Sequence, residues 1–156
     1  MAVLAERVGR TLEQRGLRLA TAESCTGGWI AKTLTDTPGS SAWFERGFVT
    51  YSNEAKQDML GVSGRTLAEH GAVSETTAGE MARGALARSR AEMAVAVTGI
   101  AGPEGGSADK PVGTVWLAWA GPGDTLETTR VLLQGDREAV RRQTVELALK
   151  GVVDRV

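Results

Sequence analysis

Along this chain, short apolar stretches of strand length alternate with longer stretches of helical period, and glycines sit at most of the junctions. Leu4, Val8 and Leu12 recur at helical spacing, which predicts an amphipathic helix over residues 2–15, closed by Gly16. Residues 17–22 have the length and alternation of a strand. A helix follows Gly27-Gly28, with Trp29, Ile30, Thr33 and Leu34 on its apolar side, and ends before Pro38-Gly39. Residues 44–52 read as a second strand, with Asn53 as the N-cap of a short helix through Leu60. Ser63 and Ser74 can each cap a further helix, the second reaching about Arg90. Residues 93–98 form an apolar run of strand length, followed by a glycine-rich loop to Pro111. Two more strands, 114–120 and 126–133, flank the turn Gly121-Pro122-Gly123-Asp124, and Asp136 caps a last helix. Strands alternating with helices imply an α/β fold. The expectation is a single three-layer α/β/α domain over 1–156 with a mixed, mostly parallel sheet, its late hairpin antiparallel.

Several functional classes are disfavoured by composition. The 156 residues carry a formal net charge of -1, so no basic surplus calls for a nucleic-acid partner. Cys25 is the only cysteine and His70 the only histidine, too few for a zinc site of the usual ligands, and no metal or organic cofactor is expected. The lone cysteine fits a reducing compartment. No apolar run approaches the roughly 20 residues that span a bilayer, and the charged first 16 residues contain no signal-peptide core. A soluble cytoplasmic protein with no membrane partner is expected. Trp29 and Trp43 are the candidates for a subunit contact in a homo-oligomer.

Four constellations could carry chemistry. Ala22-Glu23-Ser24-Cys25-Thr26-Gly27-Gly28 falls where a strand ends and a helix begins, the place where open α/β sheets bind ligands. A hydroxyl there lies beside free helix N–H groups that can receive an oxyanion, and the glycines admit a substrate close to the backbone. The same residues could merely cap the helix and make its turn. In Tyr51-Ser52-Asn53-Glu54-Ala55-Lys56, a partly desolvated Lys56 could serve a serine as base, because the one histidine is poorly placed; alternatively Lys56 is a solvated helix lysine. The loop from Thr98 and Gly99 through Gly102, Gly105 and Ser107 to Lys110 exposes amides that can wrap an anion, though it is not a P-loop. Arg137 and Arg141, four apart at the start of the last helix, suit a phosphate, or else pair with neighbouring acids such as Glu138.

These segments, taken together with Gly71-Ala72-Val73-Ser74, Thr98-Gly99-Ile100-Ala101-Gly102-Pro103 and Lys110-Pro111-Val112-Gly113-Thr114-Val115, closely resemble the C-terminal domain of the competence/damage-inducible CinA proteins. That domain also exists alone as a nicotinamide-nucleotide amidase. The resemblance runs from about residue 3 to the C-terminus, and the chain is too short to hold the additional N-terminal domain of the larger members. It implies hydrolysis of the carboxamide of nicotinamide mononucleotide to nicotinic acid mononucleotide and ammonia. It implies Ser24 as nucleophile, assisted by Tyr51 and Lys56, with Tyr51 relaying a proton or orienting Lys56. Backbone N–H groups around Cys25 to Gly27 would receive the oxyanion. Thr26, Gly27, Gly28, Thr98, Gly99, Gly102, Gly105, Ser107, Lys110, Arg137 and Arg141 are the residues expected to bind the nucleotide. The alternative is a nucleotide-binding regulatory or interaction module of the same family that catalyses weakly.

Overall fold

The computed structural model describes residues 1–156 and contains one five-stranded sheet of order β2-β1-β3-β4-β5. Its strands are β1 (Leu19–Glu23), β2 (Phe44–Val49), β3 (Met93–Gly99), β4 (Thr114–Gly121) and β5 (Thr125–Leu132). β1 pairs in parallel with both β2 and β3, while β3–β4 and β4–β5 are antiparallel, so the sheet is mixed as expected. The helices are α1 (Ala2–Arg15), α2 (Trp29–Thr35), α3 (Asn53–Leu60), α4 (Gly64–His70), α5 (Glu75–Ala87) and α6 (Arg137–Arg155).

Side-chain size divides the two faces of the sheet. On one face Leu19, Met93, Val95, Val97, Val115, Leu117 and Trp119 meet the apolar stripes of α1, α2 and α6. On the other, every central strand presents alanine: Ala20, Ala22, Ala94, Ala96, Ala118 and Ala120. Successive side chains of a strand point to opposite faces, so the sequence Met-Ala-Val-Ala-Val of β3 builds both surfaces at once. The alanine face lets α5 lie close, through Ala78, Met81, Ala82 and Ala85. Gly84 of α5 faces the backbone of Leu60 at the end of α3, where an added Cβ would come within 2.0 Å of the Leu60 carbonyl oxygen.

Several local expectations change: β1 covers Leu19–Glu23 rather than 17–22, and β2 ends at Val49 rather than Ser52. The cap of α3 is Ser52, whose hydroxyl accepts from the Ala55 N–H; Asn53 is the first helical residue. α5 stops at Ala87 rather than near Arg90, with Arg88 as its C-cap. Trp43 is 3% exposed, its indole against Gly9 of α1, so it cannot form a subunit contact. Ser63, Ser74 and Asp136 cap their helices as expected. No helix is long and apolar enough to cross a membrane.

The parallel strands β2, β1 and β3 all end on the same side of the sheet. The segments that leave them, beginning at Thr50, Ser24 and Ile100, therefore emerge side by side. Because the contact at Gly84 is with backbone, which cannot swing aside, Gly84→Ala should destabilise the fold by about 1–3 kcal/mol or more. A thermal melt reads this as a lower Tm.

Candidate active site

Ser24 directly follows β1, and its N–H donates to the Val97 carbonyl of β3, which ties the residue to the sheet. The turn after it is built on Gly27 (φ 60) and Gly28 (φ 105), a backbone region that side chains with a Cβ rarely adopt. Ser24 is 7% exposed and opens into a cleft of about 280 Å³. The wall opposite runs from Gly99 at the end of β3 to Gly105, and Tyr51, Lys56 and Arg137 are among the other lining residues.

Lys56 lies under Ser24. It is 1% exposed, although its helix is a surface helix, because one turn of α3 carries the amine beneath the end of β2. Its Nζ stands 2.9 Å from Ser24 Oγ, and donates to the carbonyls of Thr50 at 2.9 Å and Tyr51 at 3.1 Å. Burial lowers the pKa of Lys56 from the ordinary lysine value of 10.5, since the charged ammonium loses hydration there. A neutral amine has two N–H donors and one lone pair. The two carbonyls accept both donors, which leaves the lone pair for the Ser24 O–H.

Tyr51 acts on this pair through its backbone. Its side chain is 62% exposed and its hydroxyl accepts from Arg137 Nη2 at 3.1 Å, so the phenol does not face Nζ. Of the two roles expected for Tyr51, relaying a proton or orienting Lys56, the hydrogen bond from Nζ to its carbonyl fits the second. Arg137 also donates to the Gly102 carbonyl at 2.8 Å, bridging the two walls at the cleft mouth.

The expected binding residues divide. Thr98, Gly99, Gly102, Gly105 and Arg137 line the cleft with Ser24, Tyr51 and Lys56. Thr26 does not: it is fully buried and its hydroxyl donates to Glu23 at 2.6 Å. Gly27 and Gly28 shape the turn without lining the cleft. Arg141 does not line the cleft; it donates to the carbonyls of Cys25 (3.0 Å) and Thr26 (3.1 Å) with its guanidinium over Trp29. Ser107 and Lys110 hold the base of the loop, Ser107 accepting from the Lys110 N–H and Lys110 Nζ donating to the His70 carbonyl. His70 is also outside the lining. Glu104 in the lining was missed, because nothing in the spacing of a glycine-rich loop marks one exposed acid.

The backbone donors around the nucleophile can be sorted in the same way. Gly27 N–H donates to the Ser24 carbonyl, and the Ile30 and Ala31 N–H groups of α2 donate to Glu23. These are therefore not available to an oxyanion. The N–H of Cys25, in the cleft wall, donates to no other residue, nor do those of Ala101 and Gly102 across from it. The larger cavity, about 550 Å³ around Trp119 and Arg155, lies at the opposite end of the strands and contains no nucleophile beside a base.

Residues 1–156 match the family model described as CinA C-terminal domain. The chain is 60% identical over 147 residues to the nicotinamide-nucleotide amidohydrolase PncC of Escherichia coli K12, covering 94% of this chain and 89% of that protein. It is 55% identical over 150 residues to the protein of the same name from Pseudomonas putida, covering 96% and 93%. The crystal structure of the competence/damage inducible protein CihA from Agrobacterium tumefaciens superposes with a TM-score of 0.96 at 51% identity, over 98% of this chain and 93% of that one.

The site also predicts how its cysteine behaves. Burial pushes the Cys25 thiol up to about 11, so it is protonated at neutral pH and inert. Iodoacetamide at pH 8 should leave the folded protein unmodified and alkylate Cys25 only after denaturation, as read by intact mass.

Proposed function

The chain belongs to the CinA C-terminal domain family, and on that premise we propose that it is a nicotinamide-nucleotide amidohydrolase that converts nicotinamide mononucleotide to nicotinic acid mononucleotide and ammonia. The observation that carries this reading is the buried Lys56 Nζ at 2.9 Å from Ser24 Oγ, in a cleft shaped for a small ligand. A module that only binds nucleotides has no need to keep an amine out of water beside a hydroxyl.

Ser24 Oγ attacks the carboxamide carbon as its proton passes to the lone pair of Lys56. The resulting ammonium has three N–H donors for three acceptors, Ser24 Oγ and the carbonyls of Thr50 and Tyr51, so neither protonation state leaves a polar group unpaired. The N–H of Cys25, with Ala101 or Gly102 opposite, receives the oxyanion. As the tetrahedral intermediate collapses, Lys56 returns the proton to the departing nitrogen and ammonia leaves. Water, deprotonated by Lys56, then cleaves the Ser24 ester to release the nicotinic acid product. The pyridinium ring of the substrate adds a positive charge to the cleft, which further favours the neutral amine. Arg137 at the mouth is the cation for the phosphate, and Thr98, Gly99, Gly102 and Gly105 contact the remainder of the nucleotide. The enzyme works in the cytoplasm as a homo-oligomer, for which exposed Val49, Met59 and Leu132 offer apolar contact surface.

Ammonia release from nicotinamide mononucleotide, nicotinamide riboside and nicotinamide, assayed side by side, tests the reading. Turnover of the mononucleotide is expected to dominate; no release from any of the three would overturn it. Ser24→Ala should lower turnover by ~10³-fold or more, and Lys56→Met by a similar factor. Only the neutral amine accepts the proton, so activity should rise with pH through the Lys56 pKa, with that limb below 10.5 and absent from Lys56→Met. Tyr51→Phe should be far milder than Lys56→Met, since the Tyr51 carbonyl remains.

One comparison isolates the phosphate. Arg137→Ala should raise KM for nicotinamide mononucleotide by roughly 10- to 150-fold, the cost of one lost charge-assisted contact. Nicotinamide riboside, which has no phosphate, should change little. Equal losses on the two would remove Arg137 from the phosphate.

A further inference from the structure

Glu23 is a carboxylate with no exposed surface and no ion-pair partner, one residue before the nucleophile. Burying an unpaired charge is costly unless hydrogen bonds replace its hydration. Three do so here: Oε1 accepts from the Thr26 hydroxyl at 2.6 Å and the Ile30 N–H at 2.8 Å, and Oε2 accepts from the Ala31 N–H at 3.0 Å.

The backbone explains why the acceptor comes from β1. The turn after Ser24 needs positive φ at positions 27 and 28, which selects glycine, so the N-cap of α2 is Gly28 and has no side chain to offer. Ile30 and Ala31 are the second and third residues of that helix, the ones whose N–H groups an N-cap side chain would accept. Glu23 performs the capping from the strand side, and the positive end of the helix suits its charge. In doing so it spans the turn: one carboxylate holds the end of β1, the Thr26 side chain and the start of α2, with Ser24 and Cys25 between them. Arg141 grips the same turn from outside by the carbonyls of Cys25 and Thr26.

We propose that Glu23 is a positioning residue for the hydrolysis: acting through Thr26 and α2, it fixes the turn so that Ser24 Oγ stays within reach of Lys56. It contacts neither the substrate nor the reacting atoms. The inference rests on the amidase reading above.

Glu23→Gln keeps the shape but sets an amide N–H₂ against one of the donors it must accept from, and Thr26→Val removes the hydroxyl at nearly constant volume. Each is expected to lower kcat by ~10- to 100-fold, as misplacement of a nucleophile by a fraction of an ångström to 1 Å does, while KM for nicotinamide mononucleotide stays within about 3-fold. Thr26→Ser should recover most of the kcat lost in Thr26→Val. The double variant should lose less than the product of the two single losses, because both substitutions loosen the same hydrogen-bonded turn. The rate at which a fluorophosphonate labels Ser24 should fall in parallel with kcat, a readout that needs no amide substrate.

Folded Glu23→Gln and Thr26→Val proteins with kcat within 2-fold of the parent, or losses that appear in KM, would overturn the proposal. So would multiplying losses in the double variant. If Glu23→Gln does not fold, the Thr26→Val and Thr26→Ser pair decides alone. A parent that releases no ammonia defeats the amidase reading instead, and the labelling rates still test the positioning role separately.

Discussion

An amine held out of water beneath a serine sets the terms for most of this structure. Removing a charged group from solvent costs several kcal/mol, and the group responds by shifting toward its neutral form. Lys56 can be kept there because the surroundings accept it in either state: two carbonyls are aimed at Nζ from successive residues, Thr50 and Tyr51. They converge because the chain leaves β2 and turns at once into α3 under the Ser52 cap. The Thr50 N–H is itself tied to the carbonyl of Glu23. The strand that leads into Ser24 thus also fixes the acceptors of Lys56, and the Ser24–Lys56 separation becomes a property of the β1–β2 register.

The sheet's two unequal faces serve the same end. A face of alanines brings α5 close, and α3 packs on α5 through the contact of Gly84 with Leu60. The other face, filled by large side chains, sets α6 far enough out for its first turns to overhang the ends of β1 and β3. From there Arg137 reaches the cleft mouth and Arg141 the turn behind Ser24. Small residues beneath one layer and large ones beneath the other therefore place Lys56 and the two arginines on different sides of Ser24.

Much of this was legible in sequence, for identifiable reasons. Element order followed from periodicity and from strong punctuation, since Gly16, Gly61, Ser63, Ser74 and Asp136 mark helix ends by mechanisms that act locally. Ser24 and Lys56 could be proposed because strand-to-helix junctions are where such side chains emerge. Their contact, between residues 32 apart in the chain, could not be read, because it depends on β2 lying next to β1. The division of the sheet was present in the alternation of alanine with larger residues in 93–97, but a run of wholly apolar letters conceals a period of two. For Tyr51 two roles stood open, relaying a proton or orienting Lys56. Its side chain suggested the chemistry, whereas the atom that touches Lys56 is a carbonyl, which every residue possesses.

The two arginines of α6 show where sequence reasoning stops. Arg137 and Arg141 have the same chemistry, sit one turn apart on the same helix and start with equal claims on a phosphate. What separates them is depth. Arg137, in the first turn, clears the protein edge and meets Tyr51 and Gly102 at the rim of the cleft. Arg141, one turn further in, already lies over Trp29 and finds the backbone of residues 25 and 26 before it can find any ligand. A guanidinium satisfied by two carbonyls is held by the turn it binds. Under the amidase reading proposed above, recognition and geometry fall to different side chains: the exposed arginine is placed to meet a ligand at the cleft mouth, while the half-buried one holds the turn that carries Ser24.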